Sequence, residues 1–292
     1  MKLARFEYGD QVALGAVVGD RVVDLRDCLG ADAADAVDYL TAEPAARRAA
    51  EELAGSAESG HRLDEVRLLA PVRRPPKFLA IGLNYADHIA ESGQEVPKSP
   101  LVFNKQTSCV TGPVADIELP VASNQLDYEG ELGVVIGRRG RHVPRDRAKE
   151  VIGGYLVIDD VSVRDWQLAQ PTWTMGKSWD THGPIGPWLT TPDEIDDAGD
   201  LDLRTWVNGE LRQSSNTKNL VFGPELLVEH LSTVFTLEPG DIIATGTPGG
   251  VGFGMSPPRP LVPGDVVKVE IQGLGAIENT VVGEGDDSPR IG

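Results

Sequence analysis

The sequence predicts an α+β fold that is mainly β, with a large β-rich domain and a small N-terminal α/β module. Three observations lead there. Gly and Pro together make up 54 of the 292 residues, well above the roughly 12% usual for the pair. That excess suits many turns and short strands and argues against a helical bundle. Apolar runs rich in β-branched residues, Leu132–Ile136 and Tyr155–Ile158 among them, end at Gly or Asp, as buried strands do. Val207-Asn208-Gly209-Glu210 signals a two-residue hairpin, because Asn-Gly tolerates the positive φ angles of a type I′ turn.

The N-terminal stretch alternates β-like runs with turns. Val12–Leu14, Ala16–Val18 and Val22–Leu25 are separated at Gly15 and at Gly19-Asp20. Residues 31–54 are rich in Ala, Asp, Glu and Arg, a composition for one or two surface helices. Gly55 to Gly60 breaks that pattern, and Pro71-Val72-Arg73-Arg74-Pro75-Pro76 reads as a stiff extended linker. The boundary is therefore placed near residue 72, giving a module over 1–72 and a main domain over 73–292. In the main domain, Val266–Ile271 alternates after the turn Pro263-Gly264-Asp265 and is expected to be a strand. Helices are few: one after Asn84, one after Ser162 and one near Pro224–Leu231. The chain ends in a polar Gly/Asp-rich tail.

Charge and cysteine usage remove several functions. With 27 basic and 45 acidic side chains the formal net charge is −18, which disfavours nucleic acid and anionic lipid surfaces. No run approaches the roughly 20 apolar residues of a membrane span. Cys28 and Cys109 form no Cys-x-x-Cys pattern, so neither a disulfide scaffold nor a thiolate zinc site is indicated. The first residues lack the apolar core of a signal peptide. A cytoplasmic protein is expected.

The acids are informative where they cluster. In Asp127-Tyr128-Glu129-Gly130-Glu131, a strand would place three carboxylates on one face. Neighbours about 7 Å apart repel by roughly 2 kcal/mol at an effective dielectric near 20, and by about 0.6 in water. A solvated strand face and a hard-cation site both fit. Asp159-Asp160 follows the expected strand Tyr155–Ile158, where Asp160 either decorates a turn or supplies a third carboxylate. Ser162 and Asp165 have the spacing of a helix-starting capping box. Asn84 is expected to cap a short helix on which His88 and Glu91 share a face, a pairing that suits a water-activating base and is also ordinary on an exposed helix. Gly82 and Gly93 would let this segment move as a lid. Lys177 lies between Trp173 and Trp179, positioned either to neutralise an oxyanion or simply to face solvent. Trp173, Met175 and Trp179 line a side pocket or belong to the core. The Gly-rich loop Thr245-Gly246-Thr247-Pro248-Gly249-Gly250 lacks a nucleotide-binding pattern, but its N–H groups and the Thr247 hydroxyl suit a small carboxylate.

In order along the chain, Gly82-Leu83-Asn84-Tyr85 through His88 and Glu91, Phe103-Asn104-Lys105, Asp127 to Glu131, Asp160 to Gln167, Gly176 to Asp180, Gly183 to Pro187, Asn208-Gly209-Glu210, Ser215-Asn216-Thr217, Pro239-Gly240-Asp241 and Thr245 to Pro248 resemble the fumarylacetoacetate hydrolase (FAH) family over nearly all of residues 78–292. The first 70 residues resemble the small module of its longer bacterial members. Asp159 stands where Asn is common and Val163 where Ala is common, and neither is expected to touch a ligand. The resemblance implies a rolled, mixed β-sheet main domain, usually a homodimer. It implies one divalent cation, Mg²⁺ most often with Mn²⁺ or Ca²⁺ as alternatives, held by Glu129, Glu131 and Asp160, with Asp127 in support. It places Lys177 beside the metal, Arg164 and Gln167 near a small 2-oxo acid substrate, His88 and Glu91 on a lid, and Gly246 and Thr247 at the substrate carboxylate. The implied reaction is hydrolysis of a C–C bond in a 2,4-dioxo acid of acylpyruvate or fumarylpyruvate type, by way of a pyruvate enolate. Decarboxylation or tautomerisation of oxaloacetate-like acids, isomerisation of a hydroxy-diene dioate, and metal binding without turnover stay open.

Overall fold

Two β-sheets packed face to face organise the protein. A computed structural model describes residues 1–57 and 59–285; the polar tail beyond 285 lies outside them. The larger, mixed sheet runs from His61–Arg62 through Arg21–Asp24, Gln11–Val18, Lys2–Tyr8, Gly183–Thr190, Ile152–Asp159, Gly130–Ile136, Ile242–Ala244 and Phe78–Gly82 to Leu101–Lys105. The smaller one is ordered Glu210–Asn216, Asp202–Val207, Val266–Ile271, Gly275–Gly283, Ile117–Leu119. The mainly β expectation holds, and the helices pack against the sheets, Pro224–Val234 through Leu227, Val228 and Leu231. The N-terminal strands are not a sheet of their own: Lys2 and Leu3 pair with Thr190 and Leu189, so the ladder continues from the module into the main domain.

All seven residues of Gly130–Ile136 are buried, which explains an apolar run without alternation. Leu132, Val134 and Val157 meet Leu203, Val267 and Val269 of the second sheet. On the opposite face Val135, Leu156 and Ile242 pack with Ala36, Tyr39 and Leu40 of the helix Ala36–Thr41 and with Ala50 and Ala54 of Pro44–Ser56. The first helix has a capping box between Asp35 and Asp38, and the second starts on a proline, as helices tolerate. The N-terminal helices thus cover a sheet face that would otherwise be bare.

Several local signals are overridden by tertiary partners. Gly15 does not interrupt its strand: it pairs with Ala4 on one side and Asp24 on the other within Gln11–Val18. Ser162 forms no capping box. It pairs with Asp127 in a short two-stranded ladder, its hydroxyl donates to the Asp160 carbonyl at 2.9 Å, and the helix Arg164–Leu168 starts without a side-chain cap. Asn84 caps nothing either, because its amide donates to the carbonyls of Phe222 and Thr245 and accepts from the Phe222 N–H. The Asn208-Gly209 hairpin is as expected, with φ of 53° and 78° between the paired Val207 and Glu210.

Where the two sheets meet, the buried His182 at the start of Gly183–Thr190 donates from Nε2 to the carbonyl of Glu118 at 2.8 Å. Burial lowers its pKa from 6.5 to about 4. The imidazole is therefore neutral in the folded protein, whereas the unfolded chain takes up a proton near pH 6.5. Between those values the unfolded state binds more protons, so this site's stability is complete above pH 6.5 and is lost as pH falls towards 4, by about 3 kcal/mol in all. Urea unfolding of wild type and His182→Asn at pH 7 and pH 4.5 should give a markedly smaller pH difference in the variant; equal differences would remove His182 as the cause.

Candidate active site

Strand register brings the acidic cluster together. Gly130 pairs with Asp159 and Glu131 with Ile158, and the Asp160 N–H donates to the Glu129 carbonyl at 2.8 Å. The next side chains beyond that ladder are Glu129 and Asp160. One carboxylate oxygen from each of Glu129, Glu131 and Asp160 lies within 4.8 Å of the others, and all three residues are buried. The segment from Asp127 to Glu131 is not one strand, because Tyr128 and Glu129 separate Leu126–Asp127 from Gly130–Ile136.

Three buried cations face these acids. Lys177 Nζ lies 2.7 Å from Glu129 Oε2 and 2.8 Å from Asp160 Oδ2. Lys105 Nζ lies 2.6 Å from Asp160 Oδ1 and donates to the Lys177 carbonyl. Arg164 grips Asp127 Oδ2 through Nε and Nη2 at 2.9 and 2.7 Å, while Nη1 reaches Glu129 Oε1 at 2.5 Å and Gln167 Oε1 at 2.9 Å. Asp127 also accepts from the N–H groups of Gly252 and Phe253 and so anchors the Gly-rich loop to the cluster. Lys105 enters the sequence reading only as the last residue of the motif Phe103-Asn104-Lys105 and is given no role in the site there.

The electrostatics leave two carboxyls poorly served, Glu131 and Asp159. Burial alone would raise the Glu129 carboxyl, but Lys177 and Arg164 hold it below the usual carboxylate range. Burial would likewise lower Lys105, and Asp160 outweighs it, so its pKa is raised. Glu131 is pushed well above its ordinary value by burial and by Asp160 and Glu129, and its hydrogen bond from the Gly246 N–H, 2.7 Å long, does not compensate. Asp159 is raised to about 7 by burial; its Oδ2 has no partner, while Oδ1 accepts from the Glu129 N–H at 2.8 Å. Contrary to expectation, Asp159 therefore touches the backbone of one of the clustered acids. Five carboxylates, Asp127, Glu129, Glu131, Asp159 and Asp160, are buried here with Lys105, Arg164 and Lys177, a formal excess of two negative charges. Hard cations take oxygen donors of this kind, and a divalent ion would balance the cluster.

Above it lies a cavity of about 320 Å³. Its polar side comprises His88, Glu91, Gln94, Glu129, Arg164, Gln167, Lys177 and Thr247. On the helix Ala86–Ser92, His88 Nδ1 lies 3.5 Å from Glu91 Oε2, and Glu91 accepts from the Gly250 N–H at 3.1 Å. The loop after Ala244 is arranged differently from the expected carboxylate grip. The Gly246 N–H is taken by Glu131, and the Thr247 hydroxyl donates to the Gly130 carbonyl and accepts from Gln213. Gln213 is a residue that sequence reasoning misses.

Two glycines set the walls. A Cβ on Gly176 would lie 2.2 Å from the Gln167 backbone nitrogen, so only glycine lets the turn bearing Lys177 press against the helix bearing Arg164. A Cβ on Gly82 would lie 2.3 Å from Trp173 Cζ3. Gly82 therefore seats an indole and is not an open hinge. Of the three side chains left between pocket and core, Trp173 lines the cavity, Trp179 packs edge-on against Trp166, and Met175 is exposed.

A two-sheet β fold with buried carboxylates beneath a cavity is a framework that could hold a cation beside a small molecule. Its family follows from similarity: residues 77–282 match the fumarylacetoacetate (FAA) hydrolase C-terminal domain and residues 1–71 the Rv2993c-like N-terminal module. The chain belongs to the fumarylacetoacetate hydrolase family. It is 39% identical over 288 residues, 97% of this chain and 90% of the relative, to oxaloacetate tautomerase fahd2, mitochondrial, of Xenopus laevis. Among solved structures, fumarylacetoacetate hydrolase from Exiguobacterium antarcticum superposes with a TM-score of 0.83 at 36% identity, covering 97% of this chain and all of the other. Maleylpyruvate hydrolase from Sphingobium sp. SYK-6, solved with manganese(II) and pyruvate, gives 0.82 at 35% identity with the same coverage.

Replacing Glu131 with Gln separates the two consequences of the charge excess. Without added metal the neutral amide relieves repulsion of a few kcal/mol, so the melting temperature should rise by several degrees. The stabilisation that wild type gains from millimolar Mg²⁺ or Mn²⁺ should disappear. Differential scanning calorimetry with and without metal reads both, and a metal response left intact would remove Glu131 from the ligand set.

Proposed function

We propose that the protein is a divalent-metal-dependent hydrolase that cleaves a C–C bond in 2,4-dioxo acids of the acylpyruvate type. The observation that carries this reading is that His88, 3.5 Å from Glu91, shares one cavity with Lys177 and with Glu129 of the carboxylate cluster. Glu129, Glu131 and Asp160 would hold the ion, Mg²⁺ in the first instance. When bound, such an ion supplies Lewis-acid polarisation of the carboxylate and keto oxygens of a 2-oxo acid.

The chain's own residues supply the remaining steps. Arg164 and Gln167, locked together by their hydrogen bond, orient the pyruvate end of the substrate. With Nδ1 on the side of Glu91, 3.5 Å away, His88 turns Nε2 to take a proton from water, and Glu91, held by the Gly250 N–H, supplies a negative charge beside the ring as the proton arrives. The water oxygen adds to the C4 carbonyl. The C3–C4 bond then breaks, its electron pair passes into the pyruvate enolate, and the proton held by His88 is available for C3. Pyruvate and the carboxylic acid of the acyl group leave. Lys177 donates to the oxygen on which enolate charge gathers, where a placed cation acts most strongly.

A tautomerase reading is favoured by one observation, the name of the Xenopus relative that covers 97% of this chain. Enolisation needs no activated water, so the two readings part at His88. With Mg²⁺ present, wild type should release pyruvate from a panel of acylpyruvates, and His88→Ala should lower that rate by about 10²- to 10⁴-fold. A wild-type protein inert on the whole panel, or a variant of undiminished rate, would overturn the hydrolase reading. Oxaloacetate enolisation that survives in His88→Ala would support the tautomerase.

A further inference from the structure

Beyond the polar half of the cavity, its remaining wall is apolar and aromatic. Ile81, Leu83, Phe103, Trp173, Leu168 and Phe253 form it. Phe103 and Trp173 meet edge to face with ring centroids 5.4 Å apart, and the indole is seated on Gly82. Leu168 and Phe253 are exposed at 65% and 46%, so the apolar wall extends outward to solvent. The volume of about 320 Å³ corresponds to the share of about ten liquid waters. That is more than the six heavy atoms of pyruvate fill, so the apolar part has room for a substrate tail.

The charges decide which tail. Among the described residues lining the cavity, the Lys and Arg side chains are Arg164 and Lys177. Arg164 is engaged by Asp127, Glu129 and Gln167, and Lys177 by Glu129 and Asp160. His88 faces Glu91. A carboxylate at the far end of the substrate would lie against this wall with no uncommitted cation to pair with, and would give up part of its hydration there. Burying an unpaired charge is among the costliest changes a site can impose, whereas an alkyl or aryl group gains by leaving water.

We propose that this protein selects 2-oxo acids with an uncharged apolar tail and discriminates against dicarboxylates of the same length, with Trp173, Phe103 and Leu168 as the residues that set this preference. The proposal rests on the reading of the site as one for 2-oxo acids. In hydrolysis it names the class as alkanoyl- or aroylpyruvates, whose acyl group leaves as a monocarboxylic acid.

Binding tests it without turnover. 2-Oxohexanoate and 2-oxoadipate have the same chain length and differ in a terminal methyl against a terminal carboxylate; pyruvate is the tail-less control. Calorimetric titration of the full chain in Mg²⁺ buffer should give 2-oxohexanoate at least tenfold tighter than 2-oxoadipate, and tighter than pyruvate. Leu168→Arg changes an exposed position at the end of a helix and introduces a cation at the wall. It should shrink the ratio at least fivefold. Trp173→Leu should lower 2-oxohexanoate affinity towards that of pyruvate. If 2-oxoadipate binds as tightly as 2-oxohexanoate, or if pyruvate binds and neither tailed acid does better, the tail proposal is overturned and the 2-oxo acid reading stands. If pyruvate also fails to bind, both fall.

Discussion

The register between Gly130–Ile136 and Ile152–Asp159 is the constraint on which the site depends. Side chains alternate along a strand with period two, so a slip of one residue would exchange faces for every member of the pair. Glu131 would then leave the cluster and Leu132 would enter it. The register is held by apolar packing on both faces: Leu132, Val134 and Val157 against the second sheet, Val135 and Leu156 against the N-terminal helices. The acids therefore sit at the end of a ladder whose position is fixed by residues that take no part in chemistry. Asp160 closes that ladder through its own backbone, with its N–H on the Glu129 carbonyl.

Electrostatics at this point work against folding. Five carboxylates and three cations are held out of water together, and the ion pairs offset only part of the desolvation that burial imposes. Lys177 spans Glu129 and Asp160, Lys105 fills the other side of Asp160, and Arg164 joins Asp127 to Glu129. Glu131 has no cation of its own, and this deficit is the physical ground for reading the cluster as a cation site.

Much of this is legible in the sequence because the signals are chemical as well as local. Carboxylates on alternate residues entering an apolar run, and Asp160 at the end of another, announce a cluster even though the segment from 127 to 131 is not a single strand. His88 and Glu91 are readable because a helical turn brings residues three apart together. What stays illegible depends on distant partners. Nothing near Lys105 says that it reaches Asp160, 55 residues on. Gln213 gives no hint that it holds Thr247 and Gly130. The capping signals at Ser162 and Asn84 fail for the same reason, since a short ladder and two distant carbonyls outcompete the helix ends. Gly82 reads as a hinge in isolation, but an indole that arrives from residue 173 fills the space its missing side chain leaves.

The pairing of Lys2 and Leu3 with Leu189 and Thr190 bears on cooperativity. Similarity divides the chain into two stretches, 1–71 and 77–282, which can be traced separately through related proteins. Thermodynamically they are joined. Without the N-terminal strands, the edge of Gly183–Thr190 would be an open template for other chains, and without the N-terminal helices Val135, Leu156 and Ile242 would face water. The core between the two sheets is built from residues 79–281 alone, whereas the core on the other face of the larger sheet is shared between the two stretches.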